Sequence, residues 1–225
     1  MKKGDVIWAL LFLVALALFL VPSSREVILS FSNAHHYISG FIKFAILATM
    51  GDVMGKRIVS GDYQLSSRVL VTSVVWGIIG CMVTLVFPVF MGGAGQAQEG
   101  SLLPFYGVPV AQAIFGSSIM NLTFAPAMNT FHRLADLWIE SKYNNEKVSF
   151  KGLVNKIDWG TFVTFNWLKV GILFWIPVHS IVFLLPEDIR VAVAAFSSIA
   201  LGIILSFAAK KGSEPAQITE EEELV

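Results

Sequence analysis

The stretch WIPVHSIVFLLPEDIR, from Trp175 to Arg190, poses the first structural problem of this chain. It is long and apolar, yet it holds Pro177 and His179 and stops at Pro186, with Glu187, Asp188 and Arg190 behind. Proline removes a backbone donor and clashes with the preceding turn, so the interior of a soluble helix rarely accommodates it. A helix in a bilayer does, because neighbouring helices satisfy the backbone groups that proline frees. The expected result is a helix kinked at Pro177 and ended at Pro186, since the residue before a proline is pushed out of helical geometry. Glu187 and Asp188 then suit the start of a further helix, where anions meet the positive end of the dipole. Arg190 can reach back to either acid.

Composition points to the same solvent. Of 225 residues, 55% are hydrophobic and 14% charged, and the mean hydropathy is +0.70. Soluble domains carry roughly 25% charged residues. The net charge is zero, so nucleic acid is not an expected partner. The single cysteine, Cys81, cannot form an internal disulfide. It lies in an apolar run and reads as an inert buried thiol.

Six apolar segments are expected as spans: Val6–Val21, Tyr37–Ile58, Val69–Met91, Val108–Phe131, Trp159–Leu185 and Val191–Ala209. The first is short and follows Lys2 and Lys3, as in a signal peptide. It lacks a small-residue cleavage site and carries bulky Trp8 and Phe12, so a retained span is the favoured reading. One transmembrane helical domain then covers 1–212, followed by an acidic tail over 213–225 expected to be disordered. Lysine and arginine placement tests this division. With the amino terminus inside, the inner segments hold Lys2, Lys3, Lys56, Arg57, Arg68, Arg133, Lys142, Lys147, Lys151, Lys156, Lys210 and Lys211. The outer ones hold Arg25 and Arg190. Such a bias places both termini in the cytoplasm. The host membrane is the inner membrane of a prokaryote or an organelle membrane of a eukaryote.

Two connecting stretches have helical spacing of apolar residues. Val27, Ile28, Phe31, Ala34 and Ile38 suggest an amphipathic helix on the outer interface, separate from the second span or continuous with it. Val148, Phe150, Leu153, Val154 and Ile157 give a similar pattern on the inner side. The alternative for both is a linker that shields loop ends.

Functional candidates are polar groups inside spans. Lys43, Asp52 and Lys169 should each cost roughly 2.5–3.5 kcal/mol if central and unpaired. Asp52 and Lys169 both enter from the inner side, so they can pair or line one compartment. The alternative is that Asp52 bonds to Lys56 one turn on while Lys169 snorkels. Gln112, Ser117, Ser118, Asn121 and Asn129 give the fourth span a polar face that suits either a water-filled cavity or interhelical hydrogen bonds. Small residues recur at Ala194, Ser198, Gly202 and Ser206, and as Gly51 with Gly55 and Gly77 with Gly80, the pattern of close helix packing. Packing within one bundle is the leading reading and a homo-oligomer the second. The four histidines lack metal-ligand spacing. There is no phosphate-binding glycine loop or nucleophile elbow. No cofactor, metal or enzymatic activity is expected.

These positions together resemble the Mpv-seventeen / PMP-twenty-two family. In Phe165–Ser206, Trp175 and Pro177 stand near that family's W-P pair, and His179 takes the polar place after it. Pro186 and Arg190 keep its four-residue step, and Leu205 with Ser206 closes the pattern. Upstream, Gly51 and Asp52 resemble its G-D helix, Arg68, Gly77 and Gly80 its arginine and glycine pair, and Gln112 the glutamine opening the next span. Ile176 splits the W-P pair, the two prolines stand closer together than in the family, Cys81 replaces a proline, and the first span is an addition. The resemblance implies an inner-membrane or peroxisomal-membrane protein, and some members are described as weakly selective channels. Pore-lining or gating roles are accordingly expected for Asp52, Lys169, Gln112, Ser117, Asn121 and His179. The expected partners are membrane lipids and small hydrophilic solutes. The competing reading is a non-conducting scaffold.

Overall fold

The computed structural model describes residues 2–213 and is all-α. The acidic tail falls, from residue 214 on, outside the described residues. The helices are α1 (Lys3–Leu20), α2 (Pro22–Ala34), α3 (His36–Ser60), α4 (Ser67–Glu99), α5 (Pro109–Tyr143), α6 (Phe150–Asn155), α7 (Trp159–Leu184) and α8 (Glu187–Ser213). Five of them are long and apolar enough to cross a membrane: α1, α3, α4, α7 and α8 through Phe207. That is one fewer than the six expected. The expected fourth span lies in α5, which is long enough but too polar to qualify by composition.

Cross-helix bonds give the directions. Lys2 bonds Gly61 O, Asp5 pairs with Arg57, and the Trp8 indole donates to Met50 O at 3.0 Å, so α1 runs antiparallel to α3. No described residue of α1 is buried, so it leans on the bundle through these side chains and through Phe12 and Phe19 against Phe196. At one end of the α4–α5 pair, Gln112 donates to Met91 O at 2.8 Å. At the other, Tyr143 bonds Ser67 at 2.9 Å. These two helices are therefore antiparallel along their whole length. Lys2, Arg57, Arg68 and Lys142 gather at the same end of the bundle, called here the basic end.

Close approach is a matter of glycine. A Cβ on Gly51 would stand 2.9 Å from Ile199 Cα, and one on Gly80 would strike Gly40 O. The first contact brings α8 onto α3 in parallel, with Gly55 beside Gly202 and Ser206; the second brings α4 onto α3. The stripe Ala194, Ser198, Gly202 and Ser206 thus faces α3 of the same chain near Gly51 and Gly55. Gly77 receives the Phe41 ring. The apolar core between these helices holds Phe44, Leu47, Ile79, Phe87, Phe183 and Ile199.

Helix α2 is not continuous with α3. His35 breaks the path at φ −139° and ψ 61°. Val27 and Phe31 are exposed, and the inward residue of α2 is Ser32. On the basic side, the Ser149 hydroxyl caps α6. Leu153 and Ile157 bury against Leu137 and Phe162, while Phe150 stays exposed. Lys156 bonds Glu146 at 2.6 Å and closes this loop. That hydrogen bond holds the Glu146 carboxyl below its usual range.

Helix α7 changes form along its length. Phe162–Trp175 is π-helical, and the Ile176 amide bonds Gly171 O before α-helical turns resume at Ile176 with Pro177 in the first turn. The change of helical type falls beside the proline, which has no N–H to give. The helix ends at Leu184; Leu185 is extended at φ −78° and ψ 160°, and Pro186 follows. Glu187 and Asp188 occupy the first turn of α8. Arg190 turns back, with Nε donating to Leu185 O at 2.9 Å and a longer 3.5 Å contact to Glu187.

Candidate functional site

Ser117 and Asn121 of α5 face α7. Ser117 is 0% and Asn121 2% exposed. Ser117 Oγ donates to Ile176 O at 2.7 Å, beside the proline. Asn121 Nδ2 donates to Ser117 O at 2.9 Å and lies 3.1 Å from His179 Nδ1. In hydrocarbon such groups are satisfied by one another or cost several kcal/mol. Trp175 stacks on His179 at 4.8 Å, and Phe87 meets it edge-on at 5.4 Å. Phe87 in turn packs edge-on against Phe183 at 5.0 Å. The His179 cluster is thus closed by aromatic rings.

A cavity of about 340 Å³ lies on the other side of Phe87, away from the basic end. Its polar lining includes Ser32, Ser39, Lys43, Glu187, Asp188 and Arg190, with His36 and Tyr37 beside them. Lys43 is 8% exposed and donates to Ser32 Oγ at 2.9 Å. Ser32 also bonds Ser39 at 2.8 Å and Ile28 O at 2.6 Å. No carboxylate stands within ion-pair distance of Lys43 among the described residues. Asp188 Oδ1 is buried without a hydrogen-bond partner.

A second cavity, of about 350 Å³, opens at the basic end between α5 and the start of α7. Asn129, His132, Arg133, Asp158, Thr161 and Asn166 line it. Asp158 caps the start of α7 by accepting from Thr161 N at 3.3 Å and Thr161 Oγ1 at 2.7 Å. Those hydrogen bonds hold its carboxyl below the usual range.

The pairing expected between Asp52 and Lys169 is not present. Asp52 bonds Lys56 at 2.8 Å on its own helix, and both line a shallow groove against Gly202 and Ser206. Lys169 is exposed, with its ammonium 5.8 Å from the Phe165 ring centre. One helical turn separates Asp52 from Lys56, so the local partner wins. Gln112 clamps α4 to α5. Ser117, Asn121 and His179 do meet, and Arg190 bonds Leu185 O.

Sequence reasoning passed over Lys43 as a site residue. The signal was present: Ser39 and Lys43 stand four residues apart on one face of α3, and the lysine is intramembrane by count. What hid it was Asp188, which arrives from a helix far along the chain.

The fold and these sites describe a helical bundle compatible with a multi-pass membrane protein, with polar cavities at both ends. No family model, curated protein or solved structure matches the chain.

Proposed function

We propose that this chain is a six-span membrane protein forming a permeation pathway for small hydrophilic solutes, in a closed state. The observation that carries the reading is the position of Phe87. It lines the Lys43 cavity and also touches His179, so one aromatic pair, Phe87 with Phe183, divides two polar regions. Beyond it, Ser117, Asn121, Asn129 and His132 follow one face of α5 toward the basic-end cavity. The basic end faces the cytoplasm by the positive-inside bias, which puts the Lys43 cavity on the outer side and the amino terminus inside. The likeness of Phe165–Ser206 to the Mpv-seventeen / PMP-twenty-two pattern supports the same class of function.

Purified protein in liposomes tests this by glycerol efflux after an osmotic step. Phe87→Ala opens the constriction and raises efflux about tenfold or more over the parent, as a barrier drop of about 1.4 kcal/mol does. Equal, background-level efflux from parent and variant overturns the pathway and leaves the non-conducting scaffold.

A further inference from the structure

The Lys43 cavity has a charge pattern that selects among solutes. Its lining carries two cations, Lys43 and Arg190, and two anions, Glu187 and Asp188. They come from different helices: Lys43 from α3, the other three from the first turns of α8. The cations and anions are not all consumed by each other. Lys43 has three N–H donors and one serine acceptor. Arg190 bonds Leu185 O through Nε, and its nearest carboxylate is 3.5 Å away on an exposed Glu187. Asp188 keeps a buried oxygen with no donor.

Lys43 and the Asp188 carboxylate lose hydration in the fold, and each regains free energy by meeting an opposite charge or a further hydrogen-bond partner. A simple anion serves Lys43 and leaves Asp188 as it was, with added repulsion. A simple cation does the reverse. An uncharged polyol serves both weakly. A small molecule carrying both charges serves both at once, and the cavity gains no net charge. The volume, about 340 Å³, is at the small end of ligand cavities, which run from about 300 Å³. Leu85, Phe87, Pro88 and Val191 supply apolar walls between the charged groups.

We propose that this cavity binds a small zwitterion, its anionic group on Lys43 and its ammonium on Asp188. This deepens the permeation reading by naming the solute class at the outer mouth. Two sources share the chemistry: a free amino-acid-like solute and the phosphoethanolamine headgroup of a lipid. The test is calorimetric titration of the full chain in lipid-free detergent micelles, with β-alanine, O-phosphoethanolamine, acetate and ethylamine as probes. At least one zwitterion binds about tenfold or more tightly than both acetate and ethylamine. β-Alanine alone identifies a free solute, and O-phosphoethanolamine alone a headgroup. Lys43→Met and Asp188→Asn each abolish that preference. The double variant Lys43→Met with Asp188→Asn, which leaves no lone charge, folds and shows none. Zwitterion affinity no better than that of the single charges, or a preference surviving in the double variant, overturns the proposal. Glycerol efflux through Phe87→Ala separates the two claims. Efflux with no zwitterion preference removes this inference alone; zwitterion binding without efflux removes the pathway alone.

Discussion

Two polar helix residues of similar appearance, Asp52 and Asn121, have very different surroundings. Asp52 has a partially exposed side chain and a partner one turn away. Exposed pairs at that spacing contribute about 0.3–0.5 kcal/mol. Asp52→Asn is therefore expected to shift unfolding in mixed micelles by no more than that, and a larger loss would mean a buried role the geometry does not give it. Asn121 is enclosed, and its amide is shared between Ser117 and His179. Asn121→Ala removes both links and is expected to cost about 1–2 kcal/mol. His179→Phe breaks one of the same links. The double variant should lose less than the sum of the singles, because residues in one network couple. Additive losses would mean that Asn121 and His179 do not interact. The sequence displayed both residues but ranked Asp52 higher, because charge is visible in a sequence and the direction a side chain faces is not.

Among helices, glycine position decides which pairs touch. Gly51 and Gly202 lie against each other, with a Cβ on Gly202 only 3.2 Å from Gly51 O. Gly51→Leu is expected to separate α3 from α8 and cost about 3 kcal/mol or more, an overpacking loss at a backbone contact that cannot relax. Gly92 on α4 is the control, with nothing within 4 Å of its added Cβ. Gly92→Ala should be neutral or stabilising by up to about 1 kcal/mol, the helix-propensity difference. Unfolding midpoints in the same micelles compare the two. The four-residue spacing of Ala194 to Ser206 revealed which face of α8 packs. It could not reveal that α3 is the partner, since a stripe carries no address. Outside the bundle, the loop closed by Glu146 and Lys156 is expected to respond to acid. Its carboxyl titrates lower when folded than unfolded. The bond's contribution is thus full above the unfolded value, about 4.3, and falls as pH drops through the folded one. Amide protection over 144–156, corrected for the intrinsic pH dependence of exchange, should fall on acidification through that range, and Glu146→Gln should remove the fall. An acid response unchanged in the variant would assign it elsewhere.

At the scale of the whole chain, the helical class was legible in composition, and the gathering of Lys2, Arg57, Arg68 and Lys142 at one end matches the charge bias. The sixth span proposed for α5 was less so, because Gln112, Ser117, Asn121 and Asn129 lower its hydropathy whichever way they face. Structure separates the faces: Ser117 and Asn121 turn inward, while Ile114, Ile119 and Leu122 are exposed. Hydropathy counted along the sequence averages these faces, so α5 does not qualify by composition. The geometry argues for a crossing on independent grounds. With 35 residues, α5 is about 52 Å long at about 1.5 Å per residue, well over the roughly 30 Å hydrocarbon thickness. It is tied to α4 at both ends, through Gln112 to Met91 O and Tyr143 to Ser67. If α4 crosses, α5 crosses with it and returns the chain to the basic side before α7 begins. Cysteines at either end of α5 test this directly. Ser101 and Asn144 are both exposed. In a Cys81→Ser background, Ser101→Cys is expected to react with an impermeant maleimide only from outside. Asn144→Cys should react only after the membrane is opened. Labelling of both from one side would remove α5 from the spans and reverse the direction of every helix after it. The Lys43 cavity could then no longer be placed at an outer mouth.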